Sequence, residues 1–213
     1  VRQHVRAIFD LAQEFDKDVS MLVDDAGDPG LRSLEAMAVE AIRRGWTGRA
    51  LAHHARAMSL YPQPYFQKVA ALLRQAGMAV VSDPHTGPLH ARVKELLAEG
   101  VTVCLGQDDI SDAYYPFGRN NMLEVAFLAA HLLWMTTARE MEMLYDMITC
   151  SAAQAMNVKD HGLKVGARAN LVVLDAPDVL EALRRHSAPR YVIADGKLVN
   201  RAAMESLART GEW

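Results

Sequence analysis

Two carboxylates, Asp108 and Asp109, come directly after an apolar run in the segment VTVCLGQDD at residues 101–109. A carboxylate fixed at the end of a buried strand can ligate a divalent metal ion or take a proton from a metal-bound water. Asp is also common in turns that leave strands, so a purely structural turn is the alternative for this pair. We expect Asp108 to be chemically active and Asp109 to orient its neighbour.

Titratable residues also follow three earlier apolar segments: Asp24 and Asp25 after the first, His53 and His54 after the second, and Asp83 and His85 after the third. Adjacent side chains of an extended chain point to opposite faces, so at most one of His53 and His54 should face a common site. A turn with a helix N-cap is an equal alternative for the two early acids. His85 and His90 are expected to be loop residues rather than ligands.

The elements that must position these residues follow from hydrophobic periodicity. Helical spacing of apolar residues and short apolar runs alternate along the chain. The helices are predicted at about 2–16, 31–45, 64–77, 89–100, 120–135 and 138–155, with Gly77 and Gly100 closing two of them, and the strands at 19–23, 49–53, 78–83 and 101–106. Short buried strands separated by helices predict βα units and a parallel sheet. The carboxyl ends of such strands lie at one edge, where functional residues gather.

The pattern changes after about residue 160. GLKVGARANLVVLD and RYVIADGKLVN are short strand-type segments with glycine turns, and no helix of comparable length lies between them. The sequence therefore predicts an α/β domain over residues 1–160 and a small β subdomain with a C-terminal tail over residues 161–213.

Composition limits the classes of function. The chain has 213 residues, of which 51% are hydrophobic and 23% charged, and a net charge of −3, which is typical of a globular protein. Its charges form no basic stripe for nucleic acid and no polybasic segment for a membrane, and no apolar run reaches the ~20 residues of a spanning helix. Cys104 and Cys150 lie far apart, which favours a reducing, cytoplasmic location with Cys104 buried and inert. The chain lacks an initiator Met and begins within a helical pattern, so we expect it to be part of a longer protein.

Three segments, CLGQDDISDAYYPFGRNNML, LAHHARAMSLYP and TCSAAQAMNVKDHGLKVGARANLVVLD, together resemble the bacterial cytosine deaminases of the amidohydrolase superfamily. The similarity extends from VSMLVDD to ADGKLVN and matches the C-terminal half of that family. It implies strands five to eight of a (β/α)8 TIM barrel, followed by part of a small β domain. It also implies an enzyme that deaminates a small nitrogenous heterocycle, hydrolysing its C–N bond with a metal-activated water.

The resemblance assigns roles to four residues. Asp108 matches the strand-eight aspartate that ligates the metal and handles protons of the attacking water. His54 matches the strand-six histidine that helps to activate this water. Asp109 matches the second acid of the pair, and Tyr114 falls where the family has a tryptophan against the substrate, so both are expected to bind substrate.

This sequence departs from the family in the strand-five motif. The family has a metal-binding histidine, one residue and then Asp-Glu, whereas this chain has Leu22-Val23-Asp24-Asp25. Leu22 cannot ligate a metal, and Asp25 takes the place of the glutamate that shuttles protons to the leaving group. The resemblance therefore implies one divalent ion, zinc or iron, with further ligands from residues upstream of this chain. A small-molecule substrate and a homo-oligomeric assembly are also expected.

Two alternatives remain open from the sequence. One is hydrolysis of an N-alkyl amine or a cyclic amide within the same superfamily. The other is a non-catalytic, metal-free binding descendant, for which Leu22 is the best support.

Overall fold

Four short apolar strands form a parallel sheet in the computed structural model, which describes residues 1–199. They pair in chain order as β1 (Val19–Val23), β2 (Ala50–His54), β3 (Ala79–Ser82) and β4 (Val103–Leu105). Each neighbouring pair is parallel. Because parallel strands end at the same edge, the residues after all four strands lie on one side of the sheet. The predicted α/β class with a parallel sheet is confirmed; among the described residues this sheet stays open, with β1 and β4 at its edges.

The connecting helices cover this sheet through their apolar faces. They are α1 (Arg2–Glu14), α2 (Ser33–Arg43), α3 (Gln63–Ala76) and α4 (Val93–Ala98), with a 3-10 helix at Arg56–Leu60 directly after β2. Fully buried side chains from three of them, Phe9, Leu34 and Leu73, join one core. Burial of large apolar side chains is the main force that holds such helices on a sheet.

Gly77 ends α3 as the sequence predicts. Its φ of 59° lies in the left-handed region, and its amide donates to the carbonyl of Arg74. A Cβ here would lie 3.0 Å from the backbone nitrogen of Gly48, so both the conformation and the close approach favour glycine.

Two predicted helices differ most from the structure. The helix expected at 89–100 begins only at Val93, because the backbone at Arg92, with φ of −76° and ψ of 69°, is not helical. The helix expected at 138–155 is interrupted at Thr149, whose φ of −130° and ψ of −92° are not helical. This region therefore contains α5 (Met122–Leu132), α6 (Ala138–Met147) and α7 (Cys150–Ala155).

The C-terminal part forms a second, antiparallel sheet of β5 (Leu171–Val173), β6 (Tyr191–Ala194) and β7 (Lys197–Leu198). Between β5 and β6 lies α8 (Val179–Arg185), which the sequence analysis did not predict. Asp178 caps this seven-residue helix by accepting the Glu181 amide at 2.9 Å. Positions 200–213 of the predicted subdomain lie outside the described residues, and the boundary at 160 stays a prediction. Within residues 1–199, no helix is long and apolar enough to cross a membrane.

Candidate functional site

Residues from three strand ends meet at the carboxyl edge of the parallel sheet. His54 is the last residue of β2, Asp83 follows β3 directly, and Asp108 lies three residues beyond β4. One donor atom from each of these side chains lies within 4.8 Å of the other two. His54 and Asp108 have φ values of 66° and 60°, a left-handed conformation that is uncommon outside glycine and concentrates at functional sites.

His54 and Asp83 form a buried pair. Nδ1 of His54 lies 3.0 and 3.1 Å from the two carboxylate oxygens of Asp83. This hydrogen bond raises the pKa of His54 above its ordinary value, although burial opposes the rise. Burial also disfavours the charged form of Asp83, but bonds from His54, Thr86 and Arg56 outweigh it and hold the pKa of Asp83 well below its usual range.

Arg56 places a guanidinium among the acids of the site. It comes from the 3-10 helix after β2 and is only 6% exposed. Its Nη2 donates to Oδ2 of Asp83 at 2.5 Å and to the Thr86 hydroxyl at 2.7 Å. Nη1 lies 3.1 Å from Oδ1 of Asp25, and Nη2 lies 3.7 Å from Oδ2 of Asp108. One buried cation therefore contacts three carboxylates.

The two acids after β1 have different surroundings. The buried carboxylate of Asp24 accepts the amides of Ser33 and Leu34, both at 3.1 Å, and so caps the first turn of α2. The N-cap residue of α2 is Arg32, so Asp24 is not the N-cap itself but satisfies two amides of this helix end from nine residues before Ser33. Asp25 instead points to the site, where its half-exposed carboxylate lies 3.8 Å from Nδ1 of His54.

A cleft of about 60 Å³ opens beside the cluster. Its walls are formed by Leu22, His53, His54, Val81, Asp83, Gly106 and Asp108. The prediction that at most one of the two histidines faces the site is wrong, because the left-handed backbone at His54 breaks the alternation of an extended strand. His53 is held by Ser20, whose Oγ lies 2.8 Å from Nε2. Burial, together with the neighbouring His54, lowers the pKa of His53.

Asp109 and Tyr114, predicted to bind substrate, lie beside the cluster rather than in it. The carbonyl of Asp109 accepts from Nε2 of Gln107 at 3.4 Å, and desolvation and the charge of Asp108 raise the pKa of the Asp109 carboxyl. The hydroxyl of Tyr114 donates to the carbonyl of Thr86 at 3.2 Å, while its ring is largely exposed. Tyr114 thus links the loop after β4 to the loop after β3.

His85 and His90 are loop residues, as predicted. Nε2 of His85 lies 3.1 Å from the carbonyl of Gln107, and its ring meets Tyr115 edge to face at 5.2 Å between centroids. These contacts tie the loop after β3 to the loop after β4.

Sequence reasoning assigned no role to three members of the site, Asp83, Arg56 and Thr86. Asp83 had a visible signal, because it follows a buried strand directly. Arg56 had none, since its partners Asp83 and Thr86 are 27 and 30 positions away along the chain.

The donor atoms of the cluster fit a divalent metal ion. An imidazole nitrogen and carboxylate oxygens are ligands that zinc and ferrous iron accept, and here they come from three separate strand ends. The bond between Nδ1 of His54 and a carboxylate is also the arrangement that orients metal-binding imidazoles. Leu22 lines the cleft without offering a ligand.

Comparison with known proteins agrees with this geometry. A model of the amidohydrolase family matches residues 1–200. The structure of 5-methylcytosine deaminase from Klebsiella pneumoniae with 5-fluorocytosine superposes with a TM-score of 0.87 at 32% identity, covering 93% of this chain and 52% of that one. The structure of N-isopropylammelide isopropylaminohydrolase from Burkholderia multivorans also superposes with a TM-score of 0.87, at 26% identity. The match covers 93% of this chain and 51% of that one.

A curated protein sequence matches this chain over a similar share of its length. N-isopropylammelide isopropyl amidohydrolase from Pseudomonas sp. (strain ADP) is 29% identical over 192 residues, which are 90% of this chain and 48% of the relative. The chain thus spans about half the length of these relatives.

The relatives that share this fold are named as amidohydrolases and deaminases. The chain belongs to the amidohydrolase family, and the cytosine-deaminase-like resemblance drawn from its sequence is confirmed.

Proposed function

We propose that the complete protein is a metal-dependent amidohydrolase that deaminates a small nitrogenous heterocycle. In this proposal the chain supplies strands five to eight of a (β/α)8 barrel, and the missing strands come from the rest of the protein. The convergence of His54, Asp83 and Asp108 at the carboxyl edge of the sheet supports the proposal most directly. The likeness to a 5-methylcytosine deaminase supports the choice of a heterocyclic amine as substrate.

The three residues would hold one divalent ion, zinc or iron, together with ligands from outside this chain. When bound there, the ion would supply a hydroxide nucleophile at neutral pH by lowering the pKa of a bound water to about 7. In the metal-free chain Asp83 fixes the ring of His54 through Nδ1. Asp108 accepts the proton of the attacking water, since its carboxylate is the most open of the three.

Asp25 is the proposed proton donor to the departing nitrogen. Its carboxylate is about half exposed, so it can exchange protons with solvent between turnovers. It lies 3.1 Å from Nη1 of Arg56, which holds it toward the cluster. Asp109 and Tyr114 are proposed to contact the substrate from the loop after β4.

A second candidate is hydrolysis of an N-alkyl amine, which would release an alkylamine instead of ammonia. The relatives named for N-isopropylammelide favour it. A third is a metal-free binding protein, which Leu22 in the cleft wall and the guanidinium of Arg56 favour. Homo-oligomeric assembly and a cytoplasmic location stay predictions.

One assay separates the three candidates. The complete protein is loaded with zinc or ferrous iron and incubated with cytosine, 5-methylcytosine and N-isopropylammelide, and ammonia and isopropylamine are measured separately. Ammonia from a pyrimidine supports the main proposal, whereas isopropylamine supports the second candidate. The absence of both amines, together with the absence of bound metal, would leave only the binding protein. Protein stripped with a chelator is the control.

A further inference from the structure

The guanidinium of Arg56 occupies a position that a divalent ion would also favour. It contacts the carboxylates of Asp83, Asp25 and Asp108, at 2.5, 3.1 and 3.7 Å. Two of these acids, Asp83 and Asp108, belong to the cluster that could hold a metal. A single built-in cation therefore already neutralises part of the negative charge on which metal binding depends.

Arg56 is firmly held in this position. It is 6% exposed, Nη2 donates to Asp83 and Thr86, and Nη1 forms an ion pair with Asp25. Nε is buried and has no partner among the described residues. A Cβ added at Gly87 would lie 3.0 Å from Nη1, so the loop after β3 closes tightly on the guanidinium. A buried guanidinium is stable only when carboxylates are paired with it, and here Asp83 is itself buried.

We propose that Arg56 is an internal cation that competes with a divalent metal ion for the carboxylates of Asp83 and Asp108. The inference rests on the metal site of the proposed function. An ion that takes oxygens of these two acids repels the guanidinium and must break its bond to Asp83. Metal binding is therefore weaker in this protein than its donor atoms alone would allow, and it requires Nη2 of Arg56 to leave Asp83.

The test is a calorimetric titration of zinc chloride into the metal-free, complete protein. Arg56→Gln removes the competing charge and keeps a polar side chain, so it should bind zinc at least tenfold more tightly than the wild type. Arg56→Lys keeps the charge but loses the planar fork, and it should stay close to the wild-type affinity. If Arg56 were purely structural, Arg56→Gln would bind zinc more weakly than Arg56→Lys, because glutamine is the more disruptive replacement.

Arg49→Gln is the matched control. Arg49 also bridges two aspartates, Asp16 and Asp18, each at 2.6 Å, but on the exposed surface beside Trp46. Its loss should leave zinc affinity within twofold of the wild type. An equal gain in Arg49→Gln would show a general effect of net charge and would overturn the inference.

Other outcomes separate this inference from the proposed function. Equal zinc affinity in wild type and Arg56→Gln, with hydrolysis retained, overturns the competition alone. Absence of zinc binding and of hydrolysis in every variant overturns both. If Arg56→Gln does not fold, the guanidinium signal of Arg56 is followed by NMR during a zinc titration of the wild type. Loss of the protection that hydrogen bonds give its N–H protons against exchange with water supports competition. Retention of this protection at saturating zinc overturns it.

Discussion

The imidazole of His54 lies against the carboxylate of Asp83, with Nδ1 3.0 Å from one oxygen and 3.1 Å from the other. His54 is the last residue of β2, Asp83 directly follows the neighbouring strand β3, and both are buried. Each stabilises the charged form of the other, which is why the pKa of His54 is raised and that of Asp83 is lowered.

Asp83→Asn should lower the pKa of His54 in metal-free protein, because the largest cause of its elevation is the hydrogen bond to Asp83. The sign for stability follows from linkage. Because the folded-state pKa of His54 is raised, the stability that the His54–Asp83 pair contributes is full below the unfolded-state pKa of histidine. This stability is lost as pH rises through the folded-state pKa of His54. Asp83→Asn should therefore lose most stability below the unfolded-state pKa of histidine, where the pair contributes fully.

The measurement is an NMR pH titration of the His54 ring, together with urea unfolding at several pH values. Asp146→Asn, which changes an exposed acid on α6, is the control. An unchanged His54 titration in Asp83→Asn would contradict the prediction.

Asp108→Asn should reduce both bound metal and turnover of the complete protein, the latter by about 10²-fold or more. The amide keeps the size of the side chain and one oxygen, but it loses the charge that binds a cation and accepts a proton. The control is Asp112→Asn, because Asp112 accepts the amides of Tyr114 and Tyr115 in a turn that asparagine also makes. Similar activity and metal content in the two variants would mean that Asp108 is a turn residue as well.

Asp24→Asn should lower the free energy of unfolding by about 1 kcal/mol, since the carboxylate caps two amides of α2 and an amide side chain can accept only with its single oxygen. Asp25→Asn should cost less stability, because its carboxylate is about half exposed, but it should reduce turnover. Urea unfolding and steady-state kinetics give the two readouts. A larger loss of stability in Asp25→Asn would reverse the assignment of the two acids.

Cys104 should react much more slowly with iodoacetamide than Cys150. Burial within β4 raises the pKa of the Cys104 thiol to about 11, so little thiolate forms at pH 8, and the side chain is also shielded from reagent. Cys150 is exposed at the start of α7 and serves as the internal control. Mass spectrometry of a labelling time course measures both rates. Equal rates in the folded protein would show that β4 is not buried as described.

Much of the fold could be predicted from the sequence because its causes are local. Helical spacing of apolar residues and short apolar runs specify the alternation of helices and strands, and glycine marks the end of α3. The break at Thr149 and the short helix α8 were missed, although α8 carries a local signal in Asp178, which caps it by accepting the Glu181 amide.

The sequence by itself also determined which strand ends bear titratable residues, and its motifs indicated His54 and Asp108. Only the tertiary structure decided how these residues combine. The strand register brings Asp83 to His54, and the left-handed backbone at His54 lets both histidines line the cleft. Arg56 enters the site because the 3-10 helix after β2 returns it to Asp83, 27 positions away. Contacts between distant positions depend on the packing of the whole sheet, and no local pattern of residue types encodes them.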